Sequence, residues 1–197
     1  MEKKATPQRS GSLQSERRTF IDRTSGVEVT QLTEYKGHSH HFYFTNPGWY
    51  AEERKLLFSS DRDNRTNLFG VDVSTGEIEQ LTDLEPAPLP REVEFLRASK
   101  NPVAEEVYFW HDLALMAVDL ATRETRTLFI LDPGWCVSMT NCAADGNHVY
   151  FGIWSDLSDK IETDLLRICR IQRDMGGQTP KSDCSGACPG KRLGGRL

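Results

Sequence analysis

The sequence predicts an all-β protein and, within that class, a partial β-propeller of about three and a half blades out of an expected seven. Three observations carry the expectation. A motif recurs at a period near 47 residues, a short apolar strand ending in aromatics stands ahead of each echo, and tight-turn signals fall at fixed offsets.

Met1 to Arg18 is polar and charged, with no apolar stretch, and reads as a flexible lead-in over residues 1–18. Val27 to Thr33 (VEVTQLT) then recurs as Gly76 to Thr82 (GEIEQLT), a step of 49 from Gln31 to Gln80. Asn67 to Glu77 (NLFGVDVSTGE) recurs as Ala114 to Glu124 (ALMAVDLATRE), a step of 47 from Asp72 to Asp119. A fainter echo covers Arg167 to Gly177. The strands ahead of these echoes are Lys55 to Ser59, Glu106 to Trp110 and His148 to Gly152, and Leu68 to Val73 alternates with the period of a strand. Ser74-Thr75-Gly76 and Ala144-Asp145-Gly146 are turn signals, and Asp132-Pro133-Gly134-Trp135 reads as a turn before a fourth unit. Units are expected to open near Phe20, Tyr43, Val93 and Val149, which places the partial propeller over 19–179. A β-sandwich with coincidental internal similarity is the alternative. Residues 180–197 carry no strand pattern and read as an irregular, frameshifted or prematurely ended tail, so the chain is expected to be truncated.

Composition narrows the function. Of 197 residues, 38% are hydrophobic and 27% charged, which is the range of a globular domain. A net charge of -5 offers no general basic field, so nucleic acid is not the expected partner. No apolar run reaches the roughly 18 residues of a membrane-spanning helix, and no membrane partner is expected. Five cysteines at irregular gaps, without an export signal, suggest reduced thiols in the cytoplasm. Cys184 and Cys188 are too isolated to form a zinc half-site.

The segment from Thr19 to Thr33, continuing through Gly37-His38-Ser39-His40-His41-Phe42-Tyr43-Phe44-Thr45-Asn46-Pro47-Gly48-Trp49, resembles the opening of the oligogalacturonate lyases, which are cytoplasmic seven-bladed propellers. The unit from Leu56 to Thr82 also resembles blades of the Tol-system propellers. The lyase resemblance runs from about Thr19 to Thr179, most of this chain but only about half of such an enzyme. It implies β-elimination on short α-1,4-linked galacturonate chains in pectin breakdown, and oligogalacturonides as partners. It further implies Mn²⁺ held mainly by histidines, with a histidine base and an arginine nearby. Those residues come from later blades of the family, so the base is expected beyond Leu197 and no metal ligand is assigned in this chain. The alternative is a non-catalytic Tol-type propeller serving as a binding module.

Several residues are candidates for substrate contact. His38, His40 and His41 lie on a loop entering the first full unit. On an extended strand the first two share a face while His41 points away, which suits substrate contact better than a three-histidine metal site. They can equally hydrogen-bond blade-edge carbonyls. Trp49, with Tyr43 and Tyr50, offers a stacking surface for a pyranose, or inter-blade core. Asn46 could orient a sugar, although Asn-Pro-Gly is also a turn. Arg62 and Arg65, in the charged loop Asp61 to Asn67, could fork onto a galacturonate carboxylate or make local salt bridges. His111 takes the matching place in the next unit. Asp72 and Asp119 recur at the turn itself, where a carboxylate accepts backbone N–H bonds, and read as structural.

Overall fold

A computed structural model describes residues 12–86, 94–155 and 167–173. Its strands are β1 (Ser12–Leu13), β2 (Arg18–Ile21), β3 (Glu28–Gln31), β4 (Ser39–His41), β5 (Trp49–Tyr50), β6 (Lys55–Ser60), β7 (Asn67–Asp72) and β8 (Ile78–Gln80). They continue with β9 (Ser99–Lys100), β10 (Glu106–His111), β11 (Ala114–Asp119), β12 (Thr125–Ile130), β13 (Trp135–Cys142), β14 (His148–Ser155) and β15 (Arg167–Gln172). Among the described residues the only helical turns are two short 3-10 segments, Arg62–Asn64 and Glu94–Arg97.

All pairings are antiparallel, and they form blades laid out in chain order. The first sheet runs β1-β8-β7-β6-β4, with β5 also on β6; the second runs β12-β11-β10-β9; the third is β13-β14-β15; and β2-β3 stands alone. The fold is therefore all-β and propeller-type, as the repeat predicted. The lead-in gives way earlier than polarity suggested, because Ser12–Leu13 pairs with Ile78 and Glu79 on the outer edge of the first blade. The unit boundaries also move. Val149 lies in the second strand of the third sheet, and β13 opens that sheet directly after the Asp132-Pro133-Gly134 turn. Polar Ser138, Thr140 and Asn141 interrupt β13, so it lacks the apolar run that marked the other strands. Tyr43 sits in the loop between β4 and β5, while Val93, the 180–197 tail, Cys184 and Cys188 lie outside the described residues.

Burial explains why the second strand of each unit is almost wholly apolar. In β10, Val107 and Phe109 join a core with Leu57, Leu68 and Tyr50 of the first blade. The alternate residues Tyr108 and Trp110 join a second core with Val137, Val149 and Phe151 of the third. A strand covered on both faces cannot alternate apolar with polar. Each large side chain removed from water there contributes about 1.5–3 kcal/mol.

The repeated residues do repeated work. Asp22, Asp72 and Asp119 each close a hairpin in one geometry: the carboxylate accepts the N–H groups two and three residues on, and the carbonyl accepts the N–H of Gly26, Gly76 or Arg123. Gln31 and Gln80 likewise each donate from the side-chain amide to the carbonyl two residues later, at 2.7 and 2.6 Å. The structural reading of Asp72 and Asp119 therefore holds, and Asp22 is a third copy.

Register exposes a reversal between blades. Gly70 of β7 faces Leu57 and Glu79, and Ala117 of β11 faces Tyr108 and Arg126. Lys55 and Glu79 thus occupy the same two places in the first blade as Glu106 and Arg126 in the second. Lys55 Nζ lies 2.7 Å from Glu79, and Arg126 pairs with Glu106: the same bridge with opposite polarity. Each acid also reaches the next blade, Glu79 to Arg123 at 2.7 Å and Glu106 to Arg173 at 2.9 Å.

Candidate binding cavity at the inner strands

The β4–β5 loop, the segment before β9 and β13 converge. Phe42, Tyr43, Asn46, Arg97, Ala98, Met139 and Thr140 line a cavity of about 230 Å³ between them. That space suits one sugar-sized ring better than a long chain. Its wall is apolar and aromatic, with one guanidinium. The Tyr43 ring packs on Phe44 at 4.3 Å between centroids, and both are exposed.

Asn46 is buried in this wall and fastens three blades together. Its amide donates to the Ala98 carbonyl at 3.4 Å and the Thr140 carbonyl at 3.2 Å. Thr140 in turn accepts the Trp110 indole N–H at 2.9 Å. Asn46 thus lines the cavity, with its amide donors committed to backbone.

The other sequence candidates fall elsewhere. His38 and His40 stack at 5.6 Å and 13°, as residues two apart on an extended segment should, while His41 is exposed on strand β4. His38 donates through Nδ1 to Asp61 at 2.8 Å, and its backbone N–H reaches the other Asp61 oxygen at 2.7 Å. The His38 bond is the main reason the Asp61 carboxyl is held below its ordinary range. Trp49, half-exposed, pairs across to Leu56.

Arg62 is not a substrate fork. Its guanidinium is buried and takes both Glu16 oxygens, at 2.6 and 3.0 Å, under the Tyr35 ring at 4.7 Å. That bond is the main cause holding the Glu16 carboxyl low. Arg65 bridges Asp83 at 3.1 Å and Glu85 at 3.3 Å, and His111 Nε2 donates to the Glu85 carbonyl at 2.7 Å. Both therefore serve to hold the chain after β8.

Among the described residues no three His, Cys, Asp or Glu side chains cluster as metal ligands. In the histidine triplet, the His38 imidazole is bound to Asp61, His40 stacks beside it, and His41 is exposed on β4. The residue that sequence reasoning missed is Arg97, at the end of the Glu94–Arg97 turn. It belongs to no repeat, and its only sequence signal is a base placed just ahead of an inner strand.

No family model matches the chain, and neither does any curated protein. Solved structures do match its fold. An oligogalacturonate lyase from Vibrio parahaemolyticus superposes with a TM-score of 0.69 at 20% identity, over 83% of this chain and 46% of the lyase. An oligogalacturonate lyase in complex with manganese gives 0.68 at 20% identity with the same coverage. TolB from Acinetobacter baumannii gives 0.53 at 18% identity, over 81% of this chain and 36% of that one. The chain thus has the bladed fold that oligogalacturonate lyase and TolB share, and it spans just under half the length of the lyases it matches.

Proposed function

We propose that this chain is the first-blade portion of an oligogalacturonate lyase-like propeller in pectin breakdown, and that its cavity receives one galacturonate unit of a short oligomer. One observation carries the reading: Arg97 and the aromatic Tyr43 both line a sugar-sized cavity. A uronic acid presents a carboxylate on an otherwise apolar ring face, which calls for that pair of groups. Arginine binds carboxylate with planar, charge-assisted bonds.

The reaction expected of the whole propeller removes the C5 proton and breaks the O4 glycosidic bond. That proton is poorly acidic beside an anionic carboxylate, so a cation on the carboxylate assists its removal. Arg97 would bind and orient the acid; we assign no base or metal ligand to the described residues. A cytoplasmic location goes with this reading.

Calorimetric titration with trigalacturonate tests the assignment. Saturable binding is expected, with the Arg97→Ala variant at least about tenfold weaker, the loss of one charge-assisted contact. Equal binding of an uncharged α-1,4-galactotriose would remove the carboxylate from the argument. A second reading, a non-catalytic binding module, draws on the Asp72-type turns and the likeness to TolB. It predicts ligand capture with no turnover even in a lyase-length chain.

A further inference from the structure

Asn46 gives the protein only the donor half of its side-chain amide. Its backbone N–H closes a turn onto the Tyr43 carbonyl at 2.7 Å, so both ends of that turn reach the cavity wall. The side-chain N–H groups donate to the Ala98 and Thr140 carbonyls at 3.4 and 3.2 Å. A carbonyl oxygen can only accept, so turning the amide over would set Oδ1 against two other oxygens. Its orientation is therefore fixed. Oδ1 is left over, and among the described residues no donor reaches it. Nor is it sealed in the core. The fully buried side-chain atoms without a partner, among the described residues, are Ser59 Oγ, Arg62 Nε and Asp83 Oδ1. Asn46 Oδ1 is not one of them and keeps contact with open space, although the residue as a whole is only 8% exposed. The opening that Asn46 lines is the 230 Å³ cavity.

From this we infer that Asn46 Oδ1 is the specificity-determining acceptor of the cavity and takes the O–H of one ring hydroxyl of the bound sugar. A galacturonate linked on both sides keeps two hydroxyls, on C2 and C3, because O1 and O4 carry the neighbouring units. One of these donates to Asn46. Arg97, on the same wall, has donors only and suits the acid. The cavity thus selects a hydroxy acid, with the hydroxyl acting as donor. A substituent that can only accept, such as fluorine, meets a fixed oxygen there and is refused. A site built to hydrogen-bond a hydroxyl discriminates strongly against the analogue that lacks it. The inference rests on the galacturonate reading of the cavity.

NMR titration of the isotope-labelled 197-residue chain tests it. The probes are methyl α-galacturonoside and its analogues with fluorine in place of the C2, C3 or C4 hydroxyl. Each titration reads both the affinity and the Asn46 Cγ resonance, which a hydrogen bond to Oδ1 moves downfield. The parent glycoside is expected to move it. One of the C2 and C3 analogues, and only one, is expected to bind about tenfold more weakly and to leave Cγ in place at matched occupancy. The C4 analogue should behave like the parent, since that position carries the next unit. A Cγ resonance that stays put when the parent saturates the cavity, or that moves alike with all three analogues, would overturn the inference and leave the galacturonate reading standing. Failure of the parent glycoside to bind would overturn both.

Discussion

Arg62 shows how one side chain can be misread from its neighbours in sequence and corrected by its neighbours in space. Within Asp61 to Asn67 it stands among charges and looks solvated, yet its partner is Glu16, 46 residues upstream. No spacing rule joins those two. Removing Glu16 leaves a buried guanidinium without its carboxylate, which destabilises by several kcal/mol when the pair is wholly buried. Glu16 is 21% exposed, so Glu16→Ala is expected to cost about 2–3 kcal/mol by urea unfolding. Galacturonide binding should be unaffected.

Asp72 supports a prediction in pH. Bonds from the Ser74 hydroxyl and the Thr75 N–H hold its carboxyl at about 2, whereas an unfolded aspartate titrates near 4. The folded chain therefore binds fewer protons between those values. Asp72's contribution is complete above about pH 4 and is lost as pH falls toward 2. Glu16, Asp22, Asp61 and Asp119 are shifted in the same direction. The urea midpoint is expected to stay level from pH 7 to 5 and drop below 4. Asp72→Asn, which can keep the turn but cannot titrate, should make that drop shallower.

At the scale of elements, the hairpins were the most legible feature. Asp-x-x-Ser/Thr is local chemistry, and each copy acts within a few residues of itself. The lead-in was less so, because residues 12–17 are ordered by the first blade and not by their own pattern. Gly76 records that contact. Its φ is +76°, and an added Cβ would lie 2.2 Å from Ser15 Oγ and 2.4 Å from Arg17 Cβ. Gly26 takes φ +71° in its own hairpin with nothing within 4 Å. Gly26→Ala is expected to cost only the left-handed penalty, about 1–2 kcal/mol, and Gly76→Ala distinctly more. Thermal unfolding of both variants checks this, and deleting residues 1–17 should bring the two costs together.

For the whole molecule, the blade order was readable from a period near 47, but the cavity was not. Its lining comes from a loop between β4 and β5, an unrepeated arginine and the polar strand β13, which only tertiary packing brings together. Histidines drew attention in the sequence because they suit base and metal chemistry; in space His38 is a partner of Asp61. The isolated chain is accordingly expected to bind oligogalacturonide without cleaving it. Ultraviolet absorbance of unsaturated product, followed with Mn²⁺ present, should stay flat. Steady turnover by the 197 residues would show that a base had been overlooked.

The reversed bridge in neighbouring blades has a consequence for how such a ring can change over generations. Lys55–Glu79 and Glu106–Arg126 stabilise their own sheets alike, so either polarity serves a blade taken alone. Yet Glu79 greets Arg123, and Glu106 greets Arg173, across the junction. A duplicated first blade dropped into the second slot would put Lys55 where Glu106 now meets Arg173, cation against cation. Units whose sequences echo one another are thus addressed, each carrying the sign its neighbour expects, and shuffling them would need paired changes on both sides of a seam.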